Sequence, residues 1–239
     1  MSELSWHGGQ APPWTLRDAQ LLLTAQAVHA VLHGEYDRLP GLPTEFALPG
    51  QYPGNRIIGQ SEFVLHTYMA QGDGSYAHNS DVFFATGKLG LAMTAGHMIG
   101  KGIGNARRRS AAAAAAVQQW RAIDSGILHV SQFGFHLQTA TGLHTWSWEA
   151  ITQGRVVDRR MFGLMGESTS GPVNYIVESD LAELLFAFWS IARHPQHPQL
   201  AQRPWLLPEW LEAYRHHMGA GAFDFTGDVI GPDGRLLGR

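Results

Sequence analysis

The stretch Gly126-Ile-Leu-His-Val-Ser131, continued by Phe133-Gly-Phe-His-Leu-Gln-Thr139 and Leu143-His-Thr-Trp-Ser-Trp148, decides the fold. Phe133, Phe135, Leu137 and Thr139 alternate with Gly134, His136 and Gln138, which is the period of a half-buried strand. The apolar parity switches between Val130 and Phe133. A tight turn near Ser131 and Gln132 resets it, because a one-residue slip otherwise sends every side chain to the opposite face. Thr141-Gly142 supplies a second turn, after which Trp146 and Trp148 share one face and Thr145 and Ser147 the other. Consecutive hairpins are the expectation.

Further strands are expected around Val156 and Val157, from Met161 to Met165 and from Val173 to Val177, with Gly166 to Pro172 as a loop. Asp180-Leu-Ala-Glu183 reads as a helix start in which Asp180 caps free N–H groups and Glu183 reaches back to it. Leu181, Leu184, Leu185, Phe188 and Ile191 then form an apolar stripe that plugs the β structure. His194-Pro195 ends the helix, since proline disfavours helical geometry in the residue before it.

Upstream, Thr15-Leu-Arg-Asp18 is a capping-box-like start, followed by Leu16, Ala19, Leu23 and Ala27 at helical spacing, with Gly34 as a stop. Arg38 to Gly59 carries Pro40, Pro43, Pro49 and Pro53 and reads as a surface linker without a regular element. Gln60 to Tyr68 is a good strand, with Phe63, Leu65 and Thr67 on one face, and Tyr76 to Thr86 is a second candidate. Between Gly87 and Ile123, small residues precede Asn105-Ala-Arg-Arg-Arg-Ser110, an alanine run and Gln118-Gln-Trp-Arg121, so a helical insertion is expected. Lys88, His97 and Lys101 interrupt it too often for a membrane span, which needs roughly 20 apolar residues. It suits a helix packed on the β domain or on a second copy of the chain. The alternative is a peripheral membrane element with Lys101, Arg107, Arg108 and Arg109 at anionic headgroups.

Downstream, Pro204 to Met218 reads as a short helix with Pro208 in its first turn and Leu207, Trp210, Leu211 and Tyr214 on one side, where they clamp the N-terminal helix or, as the alternative, form a partner-binding patch. Gly219 to Arg239 reads as a mobile tail in which Phe223, Phe225, Val229 and Ile230 are the groups able to order. The segmentation is therefore 1–56, 57–194 with an insertion at 87–123, and 195–239.

These blocks, in this order, resemble the pleckstrin-homology superfold: two strands before the insertion, five after it, then a C-terminal helix. The residues that carry the likeness are Gly126 to Ser131, Leu143 to Ile151 and the Asp180 helix, within about residues 57 to 194. The chain looks like a bacterial PH-like or GRAM-like domain. The insertion that ends in Asn105-Ala-Arg-Arg-Arg and Gln119-Trp-Arg is similar to proteins of high-GC Gram-positive bacteria and their phages. The resemblance implies an α+β fold with a seven-strand barrel and capping helix, and a non-enzymatic scaffold for lipid headgroups or protein segments. The insertion after the second strand departs from that pattern. So does Gln71-Gly-Asp-Gly-Ser75, which offers no lysine or arginine for a phosphoinositide.

Composition and motifs narrow the chemistry. The 239 residues carry a formal charge of -3 and no cysteine. That predicts no general affinity for nucleic acid and excludes disulfides and thiolate chemistry. Met1-Ser-Glu-Leu-Ser-Trp-His lacks a secretory pattern, so cytoplasmic residence is expected. Thirteen histidines are many, but His66, His78, His97, His129, His136 and His144 are dispersed. His194 and His197 sit in a proline-constrained connector and read as solvated, and adjacent His216 and His217 point to different helix faces, so no metal is expected. Gly100-Lys-Gly-Ile-Gly-Asn105 is neither a Walker nor a dinucleotide pattern, and Glu167-Ser-Thr-Ser-Gly171 has no nucleophile elbow around Ser168 or Ser170. Arg155, Arg159 and Arg160 read as a solvated sheet edge. The expected function is a non-enzymatic binding or assembly protein without a cofactor, partnered by another protein or its own copy. The alternatives are a peripheral membrane protein and an enzyme with an unrecognised site.

Overall fold

A computed structural model describes residues 13–46, 48, 55–69, 110, 117–219, 222, 229–230 and 236–237. The chain divides into two compact units, one of residues 1–66 and 122–239, the other of residues 67–121. In the second unit the rings of Tyr68 and Trp120 lie 5.6 Å apart, and the Arg121 guanidinium donates to the Met69 and Val117 carbonyls.

Seven strands form one open sheet: β1 (Ile57–Met69), β2 (Gln119–Ser131), β3 (Gly134–Thr139), β4 (Gly142–Ser147), β5 (Ile151–Asp158), β6 (Met161–Ser168) and β7 (Gly171–Ser179). Their order across the sheet is β4-β3-β2-β1-β7-β6-β5, which makes β4 and β5 the two edges. With its helices the fold is α+β, as expected from the alternating runs. Leu128 and Val130 of β2 and Phe135 and Leu137 of β3 point inward and are buried. Phe162 and Leu164 of β6 and Val177 of β7 do the same from the other half of the sheet.

The hairpins are tighter than the composition implied. Ser131-Gln-Phe-Gly134, Thr139-Ala-Thr-Gly142 and Ser168-Thr-Ser-Gly171 repeat one device. In each, the first hydroxyl donates to the carbonyl of the fourth residue, at 3.1, 3.3 and 2.9 Å, and accepts from the third residue's N–H, at 3.3, 3.2 and 3.1 Å. The hydroxyl thus replaces backbone pairing lost at the turn. Gly171 closes its turn with φ 110, which a side chain would strain. The loop expected over Gly166 to Pro172 is therefore only the two turn residues Thr169 and Ser170, because Gly166 to Ser168 pair with Gly171 to Val173.

The C-terminal helix α2 (Ala182–Arg193) covers the inner face of the sheet. It buries Ala182 through Ser190 without a solvent face, so it is a core helix and not one with a single apolar stripe. Phe188 lies edge-on to Trp148, and the Trp189 indole N–H donates to the Ile151 carbonyl at 3.1 Å. The expected capping by Asp180 is corrected: Leu181 is the N-cap and no side chain caps the helix. Asp180 instead lies 2.9 Å from Arg160 Nε, and Glu183 accepts from the Arg160 backbone N–H and the Arg17 guanidinium. Arg160, with φ 64, is thus held by the α2 start and is not a free edge charge.

The N-terminal helix α1 (Leu16–Leu32) begins with the expected Thr15–Asp18 capping box and ends before Gly34, at φ 71. Arg17 also donates to the Asp180 carbonyl at 2.6 Å, so α1 is tied to the start of α2 by charge-assisted bonds. A one-turn helix, α3 (Pro198–Gln202), and the expected helix α4 (Pro208–Met218) complete the layer behind α2. Trp210 and Tyr214 of α4 stack at 5.5 Å, and Trp14 reaches both. Helices α1, α3 and α4 belong to the same compact unit as α2 and strands β3 to β7. Described residues at the two ends of the proline-rich linker are anchored: Leu42 bridges Ile57, and the Tyr36 hydroxyl donates to the Arg56 carbonyl while accepting from the Gln132 N–H, both at 3.1 Å. In the tail, β8 (Val229–Ile230) and β9 (Leu236–Leu237) pair antiparallel.

One expectation about the insertion changes. Gln119 to Ile123 are the first residues of β2 and not the end of a helix. The strand propensity of an exposed Trp120 and Ile123 paired in a ladder overrides the local helical bias. One strand of the sheet precedes this segment and six follow it; the second strand expected at residues 76–86 lies outside the described residues, as does the rest of the 87–116 helix apart from Ser110. Trp148 is likewise not on β4. It opens the short 3-10 turn Trp148–Ala150 and sinks into the core, its N–H donating to the Gln132 carbonyl at 2.6 Å.

Candidate functional site

The inner face of the sheet is filled by α2 at one end and opens at the other into a cleft of ≈690 Å³. Antiparallel pairing places Trp146 of β4 opposite Phe135 and His144 opposite Leu137, so both side chains turn inward toward the cleft. Trp146 stacks parallel to Phe135 at 6.1 Å and meets the Tyr175 ring edge-on at 6.2 Å. These rings, with Leu65, Leu137 and Val173, make an apolar floor. The rim is polar. Thr139 lies on one side, Ser168, Thr169 and Ser170 of the β6–β7 tip lie on the other, and Asp124 and Glu167 are also lining residues. Among the described lining residues there is no lysine or arginine, so the cleft carries two negative charges and one histidine, His144.

All four consecutive residues Leu143 to Trp146 line the cleft. Alternate side chains of a strand point to opposite faces, so a space touching four in a row wraps over the free edge of β4. Among the described residues nothing pairs with that edge. Gly142 to Thr145 are exposed, and the strand Gly142-Leu-His-Thr-Trp-Ser147 contains no charge and no proline. The opposite edge is closed. Gln199 of α3 accepts from the Val156 N–H at 3.1 Å and donates to the Val156 carbonyl at 2.9 Å, imitating a neighbouring strand. The β5–β6 register also shifts twice, and β5 carries Arg155 and Asp158.

A second cavity of ≈670 Å³ lies beside α1 and α4, lined by Trp14, Arg17, Glu183, Trp205 and Trp210. Its charged centre is the Arg17–Glu183 pair that ties the helices together, so its chemistry is structural.

Among the histidines, the structure brings together a pair that the sequence left dispersed. His129 and His136 face each other across β2 and β3 on the outer face, both buried, beneath Phe46 of the linker, whose ring is 4.9 and 5.3 Å from theirs. His129 Nε2 lies 2.9 Å from Gln138 Oε1, and His136 Nδ1 2.9 Å from Thr145 Oγ1. Burial, then repulsion from His129, holds the His136 pKa down at about 4, so the ring is neutral at neutral pH. His197 is not solvated as expected. It caps α3, accepting from the Gln199 N–H at 3.2 Å, and packs edge-on against Phe186 at 4.9 Å; burial, then His194, lowers its pKa. His217 stacks on Trp14 at 4.4 Å. Among the described residues no three histidine, aspartate or glutamate side chains are grouped to hold a metal ion.

Lys101, Arg107, Arg108 and Arg109, the binding residues expected from sequence, lie outside the described residues, as does the Gly100 to Asn105 loop. Ser168 is held by its own turn. Trp146, Tyr175, Asp124 and Glu167 were not singled out as a site by sequence, because nothing local marks residues that meet only through the sheet's pairing. Among the described residues no helix is long and apolar enough to cross a membrane. No protein-family model, no curated protein and no solved structure matches the chain.

Proposed function

We propose that this chain is a non-enzymatic binding or assembly protein that engages another polypeptide through the cleft beside β4, on a PH-like scaffold. The strand order and the helix that follows β7 support the scaffold reading. The observation that carries the function is the contrast between the two sheet edges. One is bulged, charged and covered by Gln199, whereas the other has no partner among the described residues and opens onto an aromatic floor. An exposed edge invites strand pairing, and proteins normally block such edges unless they use them. Trp146 and Tyr175 supply the rigid, amphipathic rings that favour recognition at low entropic cost.

The test is a displayed random-peptide library panned on the whole protein and counter-selected on a Trp146→Ser variant. The reading expects clones that bind the parent and lose the variant. An absence of enriched clones, or clones indifferent to Trp146 and to Tyr175→Ser alike, contradicts it.

A further inference from the structure

The charge of the cleft and the geometry of its edge together name the occupant. We propose that the cleft takes an extended, basic polypeptide segment, added as an eighth strand along β4, with lysine or arginine side chains directed at Asp124 and Glu167. The proposal rests on the reading of the cleft as the working surface.

Three observations support it. First, among the described residues β4 is paired on one side only, so alternate N–H and C=O groups along Gly142–Ser147 face away from the sheet. A second backbone satisfies such a row better than a small molecule does. Second, the six residues of β4 set the span, and at about 3.4 Å per residue the occupant is a segment of about six residues. Third, the cleft wall carries Asp124 on β2 and Glu167 on β6, with no lysine or arginine among its described residues. A phosphate or an acidic segment meets like charge there, and a cationic side chain meets opposite charge. In an added strand, alternate side chains face the cleft, so basic residues two apart are selected while the intervening ones remain free. The hydroxyls of Thr169 and Ser170 at the β6–β7 tip then border the incoming chain on its far side.

The probes are four capped hexapeptides: alternating lysine and valine, alternating glutamate and valine, and the lysine peptide with alternate amides N-methylated in each of the two registers. Binding is measured by fluorescence anisotropy, and its location by amide hydrogen exchange on the full chain. The expected result is that the lysine peptide binds and slows exchange along β4, while the glutamate peptide does not. Methylation in one of the two alternating registers abolishes binding. The paired variant Asp124→Asn with Glu167→Gln, which retains the bond from the Ser125 N–H to residue 124, weakens the lysine peptide by about tenfold without altering the fold. Equal binding of the glutamate peptide overturns the charge assignment, and equal binding of both methylated registers overturns strand addition; either leaves the cleft reading standing. Concentration-dependent protection of β4 with no peptide present makes a second copy the occupant and overturns the proposal. If no peptide and no displayed clone protects β4 or the β6–β7 tip, both readings fall.

Discussion

Acidification should destabilise the folded chain through His136. Its ring is 2% exposed, lies against His129 and Phe46, and has a pKa near 4 in the folded chain against 6.5 for an unperturbed histidine. The unfolded chain therefore binds a proton between those values that the folded chain refuses. The folded pKa is depressed, so this contribution is complete above about pH 6.5 and is lost as pH falls toward 4. The interval is about 2.5 pH units, which at about 1.4 kcal/mol each sets a ceiling of roughly 3 to 4 kcal/mol. That is a large fraction of the stability of a small domain. Carboxylates titrate in the same range, so the readout is a difference between proteins. Urea unfolding of the parent and of His136→Gln, whose amide still reaches toward Thr145, is compared at about pH 7, 5.5 and 4. The parent's advantage over the variant should shrink by about 2–3 kcal/mol across the series. Two profiles that stay parallel to within about 0.5 kcal/mol would refute the buried, neutral assignment of this ring.

Other substitutions probe the scaffold. A Cβ at Gly154 meets the Trp189 ring at 2.8 Å and the Phe162 ring at 2.9 Å, so Gly154→Ala should cost about 1–3 kcal/mol by chemical denaturation. Arg17→Ala leaves the fully buried Glu183 carboxylate without its cation and should cost about 3 kcal/mol, while Arg17→Met with Glu183→Leu should recover most of it; the midpoints of thermal melts compare the three. Gln199→Ala removes both bonds to Val156 and should raise concentration-dependent aggregation measured by light scattering, because it uncovers the β5 edge.

Much of the sheet was legible because its signal is local. Phe135 and Leu137 fall at the expected parity, strands form where Met161 to Met165 and Val173 to Val177 were expected to, and the turns around Gly134, Gly142 and Gly171 carry their own chemistry. The recurring Ser/Thr-x-x-Gly spacing was a signal available in the sequence, and it would have placed the β6–β7 turn to the residue. The start of β2 was misread because alanine-rich flanks favour helix locally, whereas the ladder that holds Gln119 to Ile123 is a long-range interaction. The Asp180 cap was misread for a similar reason: Arg160 and Arg17 come from distant segments and outcompete the local capping pattern. The cleft itself draws on β1, β2, β3, β4, β6 and β7. Its aromatic floor depends on Trp146 facing inward while Trp148, two residues on, leaves the strand for the core. No periodicity reports that break, and none reports that Gln199 closes the other edge.

The central claim is that β4 is the working edge. Its most direct measurement is the structure of the full chain bound to a peptide selected for dependence on Trp146. The account predicts a peptide backbone hydrogen-bonded along Gly142–Ser147, with cationic side chains near Asp124 and Glu167. A peptide lying on α2 or the β5 edge, or anywhere that leaves the β4 amides unpaired, would contradict it.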